Sequence, residues 1–394
     1  MFWGEVIVGF LCLALAAGCG SVCAESNSPT GLWDLKTLRQ PPKFEVIDTK
    51  GDLRSIYYDG EPYLGKPTRV FAYLATPEGL KGKAPAIVLV HGGAGRAFAD
   101  WAQMWASRGY VALAMDVFGQ GPDGKHTDDG GPNLDPGTIY PREAKDGWTY
   151  AAIAKIMRGV SLLASLPEVD PKRIGITGVS WGGYLACIAA GVDDRLKAAA
   201  PIYGCGYLHE ASIWSKEIQG LPEERRKVWI DSLDPSRYLP QAKAPMLFIN
   251  GTNDACFWLD SYQKSYRLVR KRTVSLKVRM EHGQDQGASP VEILPFMDQH
   301  LRGGKALPEL GKPDRDGNLV EVRFKSPVAV SKAELCFTTD SGIWEARKWQ
   351  TRGAKIDGRT ISSELPTERP LTFFISITDD RGASVTTEYE SIAQ

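Results

Sequence analysis

The sequence predicts a doubly wound, mostly parallel α/β sheet followed by a small all-β sandwich, and three observations carry that expectation. From Ala84 onward a unit recurs: an unbroken apolar run, a glycine-bearing turn, then a helical stretch, the pattern of buried parallel strands with crossovers. The apolar runs are short and bounded by turns, while the stretches between them carry apolar residues at three- and four-residue spacing. After Gly303-Gly304 the pattern switches to alternation broken by Gly, Asp and Pro, which reads as antiparallel strands.

Along the chain, Val6 to Ala17 is an apolar run too short for a comfortable membrane span. It reads as the core of a signal peptide (residues 1–24), with Val22-Cys23-Ala24 supplying small residues before cleavage ahead of Glu25. The mature chain then has no membrane span and is secreted or periplasmic. Lipoprotein anchoring at Cys19 is one alternative; an uncleaved anchor is another, because the positive charge that usually opens an export signal is replaced by Glu5. An extension (25–42) precedes the first alternating stretches, Phe44 to Ile47 and Thr68 to Ala75, which read as antiparallel lead-in strands.

The main domain spans 43–306. Its buried strands are expected at Ala86 to Val90, Val111 to Val117, Ile174 to Val179, Ala198 to Tyr203 and Pro245 to Asn250, with a more polar one at Val274 to Met280. Helices are expected at Phe98 to Ser107, Gly147 to Leu166, Trp181 to Gly191, Trp258 to Val269 and Val291 to Arg302. Two stretches break this rhythm, Gly119 to Pro141 and Gly204 to Lys243, and both are expected over the site, since long loops of such folds concentrate function. From 307 to 394, runs such as Leu319 to Phe324, Ala333 to Phe337 and Thr372 to Ile377 predict a sandwich of the immunoglobulin or fibronectin sort.

Lys plus Arg and Asp plus Glu each total 47 of 394 residues, so the formal charge is zero and no basic field for a nucleic-acid partner exists. Of seven cysteines, Cys12, Cys19 and Cys23 lie in the removable segment. Cys187, Cys205, Cys256 and Cys336 are too widely spaced for a zinc ribbon and too few for a disulfide framework, and read as buried thiols. His126 to Asp129 and Asp314 to Gly317 have a metal-like look without EF-hand spacing, so they read as solvated turns and no metal is assigned.

Gly178-Val179-Ser180-Trp181-Gly182-Gly183 stands between a predicted strand and a predicted helix, the context in which a sharp turn presents a nucleophilic serine. His91-Gly92-Gly93-Ala94-Gly95 follows the strand Ile87 to Val90, and its glycines free backbone N–H groups to face a ligand. Gly93 and Trp181 are therefore the expected oxyanion donors, each worth about 3 kcal/mol in the transition state; the alternative is that His91-Gly92-Gly93 is simply a tight turn, with His91 a structural side chain. A hydrolytic serine needs a base and an acid further along the chain. Of His209, His282 and His300, only His282 lies just past a predicted strand; His300 falls on a helix, and His209 sits in the second insertion, within reach of substrate. Asp254 ends the loop after the strand Met246 to Asn250, whereas Asp260 and Asp298 fall within helices as surface charges. Ser180, His282 and Asp254 thus all sit at carboxyl ends of strands.

Together, His91-Gly92-Gly93, Gly178 to Gly183, Asn250 to Asp254 and Glu281-His282-Gly283 resemble α/β-hydrolases of the acetylxylan esterase, dienelactone-hydrolase-like and prolyl-oligopeptidase-type groups, over about residues 43–306. The resemblance implies Ser180 as nucleophile, Asp254 as acid, His282 as base, and Gly93 with Trp181 as oxyanion donors, with no cofactor. Dienelactone hydrolases carry Cys where this chain has Ser180, the peptidases carry a β-propeller that some sixty residues cannot build, and the sugar deacetylases carry Gln where Trp181 stands.

The expected activity is therefore hydrolysis of a carboxylic ester through an acyl-enzyme on Ser180, the ester being an acetyl group on a polysaccharide. Two alternatives stand beside it: a serine exopeptidase or amidase, and a non-catalytic carbohydrate-binding protein whose signature would be exposed Trp344 and Trp349. Tyr207, Phe257 and Trp258 are the expected substrate contacts.

Overall fold

The computed structural model describes residues 29–393, so the expected signal peptide and its cysteines lie outside the described residues. At the centre is a nine-stranded sheet: β1 (Phe44–Lys50), β2 (Leu53–Asp59), β3 (Arg69–Ala75), β4 (Ala84–Val90), β5 (Val111–Met115), β6 (Val169–Val179), β7 (Leu196–Ile202), β8 (Met246–Gly251) and β9 (Arg272–Lys277). They lie in the order β1-β2-β3-β5-β4-β6-β7-β8-β9, antiparallel from β1 to β5 and parallel from β5 to β9. Every residue of β4 and β5 is buried, which is why these strands read as unbroken apolar runs.

The lead-in strands are antiparallel as expected, but β1 departs from its alternation. All seven of its residues are exposed, including Phe44, Val46 and Ile47, because it is the edge strand and carries a bulge between Val46 and Asp48. Helices α1 (Ala99–Ser107), α2 (Trp148–Ser165), α3 (Trp181–Val192), α4 (Leu259–Arg267) and α5 (Ile293–Leu301) occupy the expected stretches within a few residues. Helix α2 packs on α3 and on β6, and α3 also covers β7.

Beneath the loop that follows β4 lies a buried polar group. His91 accepts the Val117 N–H at Nε2 (3.1 Å) and sets Nδ1 2.9 Å from the Gly92 carbonyl, so it is a structural side chain that shapes this loop. Lys155 of α2 donates to the Gly130 carbonyl at 2.8 Å and is wholly enclosed. Burial lowers its ammonium from 10.5 to about 8, against the opposing pull of the Asp116 carboxylate.

Below about pH 8 Lys155 is charged in both folded and unfolded chains and carries its full burial cost; from about 8 to 10.5 only the unfolded chain keeps the proton, so folding stability rises with pH in that window. Urea unfolding of the parent and Lys155→Met at pH 7 and pH 10 checks this. The parent is expected to gain about 2 kcal/mol relative to the variant. Parallel pH responses would show that Lys155 does not titrate there.

From Glu309 the chain forms two antiparallel sheets facing each other around Val320, Val322, Leu335, Ile361, Phe373 and Ile375. Trp344 and Trp349 belong to the interior, 3% and 2% exposed, so they offer no open aromatic platform for carbohydrate. This β domain docks along β9: Thr386 Oγ1 accepts the Leu276 N–H at 3.2 Å, Tyr389 O accepts from Gln263 at 3.0 Å, and Glu388 pairs with Arg267 and Arg272. The far edge of the main sheet is thereby covered rather than left open to pairing.

Candidate active site

Ser180 sits between β6 and α3 with φ +58°, a conformation that an L-residue adopts only when its surroundings enforce it. Two glycines make the turn possible. A Cβ on Gly178 would stand 2.2 Å from the Gly182 carbonyl oxygen, and one on Gly182 would stand 2.0 Å from that of Val90. The Ser180 N–H donates to Ile202 O at 2.9 Å, pinning the turn to the end of β7.

Three side chains from three strand ends converge here. His282 Nε2 lies 2.9 Å from Ser180 Oγ, and His282 Nδ1 lies 2.6 Å from Asp254 Oδ2. The other carboxylate oxygen of Asp254 accepts the N–H groups of Cys256 (2.8 Å) and Phe257 (2.7 Å), which fixes the carboxylate's orientation. Asp254 is 2% exposed and Ser180 9%, while the imidazole edge remains open to solvent. Nδ1–H therefore donates to the acid, and Nε2 is left as the acceptor facing Ser180.

Asp254, His282 and Cys256 also bring a carboxylate, an imidazole and a thiol within 4.8 Å of one another. Their chemistry suits a proton relay better than a metal, because Asp254 is already engaged by two amides and the imidazole. Burial also pushes the Cys256 thiol up to about 11, away from the thiolate a metal needs.

Beside Ser180, the Trp181 N–H is the first amide of α3 and has no intrahelical acceptor. Gly93 lies against the same corner: a Cβ on it would be 3.1 Å from Trp181 Cδ1. The Trp181 ring is 7% exposed and forms an aromatic cluster with Trp148 (5.8 Å), Trp214 (4.8 Å) and Phe257 (6.2 Å). Trp214 comes from the second insertion, which thus reaches the site as expected. The first insertion meets the second where Tyr140 packs on Trp229 at 6.1 Å.

The expected substrate contacts divide. Phe257 is a correction: it is wholly buried, stacked on His282 at 6.0 Å with 10° between planes, so it backs the imidazole instead of meeting substrate. Tyr207 is half-buried, with φ +58° and its ring under the Lys264 ammonium; among the described residues no hydrogen bond or ring contact joins it to the triad. Trp258 is half-buried on the acid loop, its indole N–H donating to Ala255 O at 3.4 Å.

His209 pairs loosely with Glu210 at 3.8 Å, and His300 lies on α5 beside Phe296, its imidazole pushed down by burial and by Lys271. Asp260 is more than a surface charge, since it accepts the indole N–H of Trp344 at 2.7 Å across the domain boundary. Cys187, Cys205, Cys256 and Cys336 are free thiols. A cleft of about 770 Å³ opens elsewhere, between the amino ends of β8 and β9 and the β domain, and shares no residue with the triad.

Two aromatic residues outside the expected set also shape the site. Tyr203, just past β7, packs its ring 4.4 Å from that of His282 at a tilt of 32° and donates its hydroxyl to Glu281 O at 2.7 Å; its strand-end position is the available signal. Trp214 lies in a stretch without periodicity, and nothing in the local sequence marks it.

The fold is that of the α/β-hydrolases, and the juxtaposition of Ser180, His282 and Asp254 is the arrangement that a serine hydrolase uses. More particularly, the acetyl xylan esterase family profile matches residues 31–211, just under half of the chain. Among solved structures, an acetyl xylan esterase from a Paenibacillus species superposes with a TM-score of 0.56 at 24% identity, covering 66% of this chain and 90% of that one. Acetyl xylan esterase 1 from a Thermoanaerobacterium species gives 0.53 at 18%, with 66% and 89% covered.

Curated relatives include the uncharacterized peptidase YuxL of Bacillus subtilis, 24% identical over 262 residues (59% of this chain, 37% of that one). The acylamino-acid-releasing enzyme of Sus scrofa is 23% identical over 281 residues (66% and 34%). The chain spans about a third of the length of these curated relatives.

Proposed function

We propose that this protein is an exported carboxylic-ester hydrolase that removes acetyl groups from a polysaccharide through an acyl-enzyme on Ser180. The observation that carries the reading is the relay Asp254–His282–Ser180, at 2.6 and 2.9 Å. In this reading His282 Nε2 takes the Ser180 proton as Oγ attacks the acyl carbon. The oxyanion that forms is held by the Trp181 and Gly93 N–H groups. His282 then protonates the departing alcohol, and water, activated by the same imidazole, releases the acid.

The aromatic cluster of Trp181 and Trp214 forms an apolar wall beside the nucleophile, which suits a short acyl group better than a polar peptide chain. Export rests on the Val6 to Ala17 run, and the acetyl substrate on the family match. Among the described residues no helix is long and apolar enough to cross a membrane.

An assay of acetate released from acetylated xylan, run beside cleavage of an N-acetyl-peptide, tests the substrate class. Acetate release with peptide cleavage at least about tenfold slower in kcat/KM is expected. A preference for the acyl-peptide would assign the chain to the peptidase side of the superfamily.

A further inference from the structure

The acid and the base of the relay sit on two loops, Gly251 to Phe257 after β8 and the segment after β9, and neither loop is held by the main sheet alone. Asn253, next to Asp254 in the chain, directs the two hydrogens of its amide nitrogen at a cluster of three β-domain carbonyls, those of Trp344 (3.2 Å), Glu345 (2.9 Å) and Arg347 (2.7 Å). Its own Oδ1 accepts from Thr252 Oγ1 at 2.9 Å, and that hydroxyl oxygen accepts the Arg279 N–H at 3.1 Å. Arg279 closes the ring by donating from Nη2 to Trp349 O at 3.1 Å.

Arg279, three residues before His282, is held at φ +57°. A strained residue of this kind persists only where its neighbours over-determine it, and this hydrogen-bonded ring supplies the constraint. The β-domain segment is itself anchored. Trp344 is tied by its indole N–H to Asp260 of α4, and the Arg347 guanidinium lies 3.7 Å over the Trp344 ring.

We propose that the β domain is a working part of the active site: its Trp344 to Trp349 segment, through Asn253 and Arg279, sets the spacing between the acid loop and the base loop. Asn253 and Arg279 are positioning residues, and the proposal rests on the serine-hydrolase reading above. Because relay geometry enters the chemical step and not substrate binding, loosening it lowers kcat and spares KM.

The test uses the full chain with an aryl acetate and the variants Asn253→Ala, Arg279→Ala and Arg279→Lys. Both alanine variants are expected to lose about tenfold or more in kcat with KM within about twofold. Arg279→Lys, which can still donate to the Trp349 carbonyl, is expected to recover most of the loss. Should Asn253→Ala not fold, the two Arg279 variants decide. Alanine variants within about twofold of the parent kcat, or a lysine variant no better than alanine, would overturn the proposal. A parent that neither turns over ester nor is labelled at Ser180 by a fluorophosphonate would instead remove the serine-hydrolase reading, and this proposal with it.

Discussion

Replacing Ser180 with alanine is expected to lower turnover of an aryl acetate at least about a thousandfold while the thermal midpoint stays where it was. The chemical half of this expectation follows from the 2.9 Å contact between Ser180 Oγ and His282 Nε2, since alanine leaves the imidazole no proton to take and the acyl group no oxygen to join. The structural half follows from the turn. Alanine keeps the Cβ that Ser180 already carries at φ +58°, and the main-chain bond to Ile202 is untouched. Residual hydrolysis would come from direct attack of water on the acyl carbon, with the oxyanion donors still stabilising the tetrahedral intermediate. Unchanged turnover, measured as initial rate against substrate, would remove Ser180 from the mechanism.

Asp254→Asn should cost about ten-thousandfold in kcat without loss of fold. The size of the effect comes from which oxygen does what. Oδ1 accepts two main-chain N–H groups, from Cys256 and Phe257, so an asparagine keeps its carbonyl oxygen there and turns its NH₂ toward His282 Nδ1. The imidazole must then accept at Nδ1 and carry its proton on Nε2, where it faces Ser180 Oγ as a donor and cannot act as base. Loop geometry is preserved while the tautomer is reversed. A variant within about tenfold of the parent would show that Asp254 does not orient His282.

Much of this arrangement is legible in the sequence. Parallel strands announce themselves because both of their faces are buried, and the order of strand ends then picks His282 over His209 and His300, and Asp254 over Asp260 and Asp298. The glycines around Ser180 were legible for the same reason, since a close approach of main chains leaves no room for a Cβ.

What stayed hidden depends on contacts between distant parts of the chain. Phe257 looks like a substrate contact in sequence and is a buried backing for His282 in space. Asp260 looks like a surface charge and ties two domains together. Asn253 reads as one more turn residue beside the acid, yet its amide is spent on carbonyls some ninety residues away. Nor does periodicity reveal that β1 is an exposed edge, because its apolar residues belong to a strand that is exposed along its whole length among the described residues.

The most direct test of the relay is covalent. Incubating the full chain with a fluorophosphonate and mapping the modified peptide by mass spectrometry is expected to give one adduct, on Ser180, with loss of esterase activity in step with its formation and no adduct in Ser180→Ala. An esterase that keeps its activity while Ser180 stays unmodified, or one inactivated by an adduct at another residue, would contradict the assignment of Ser180 as nucleophile.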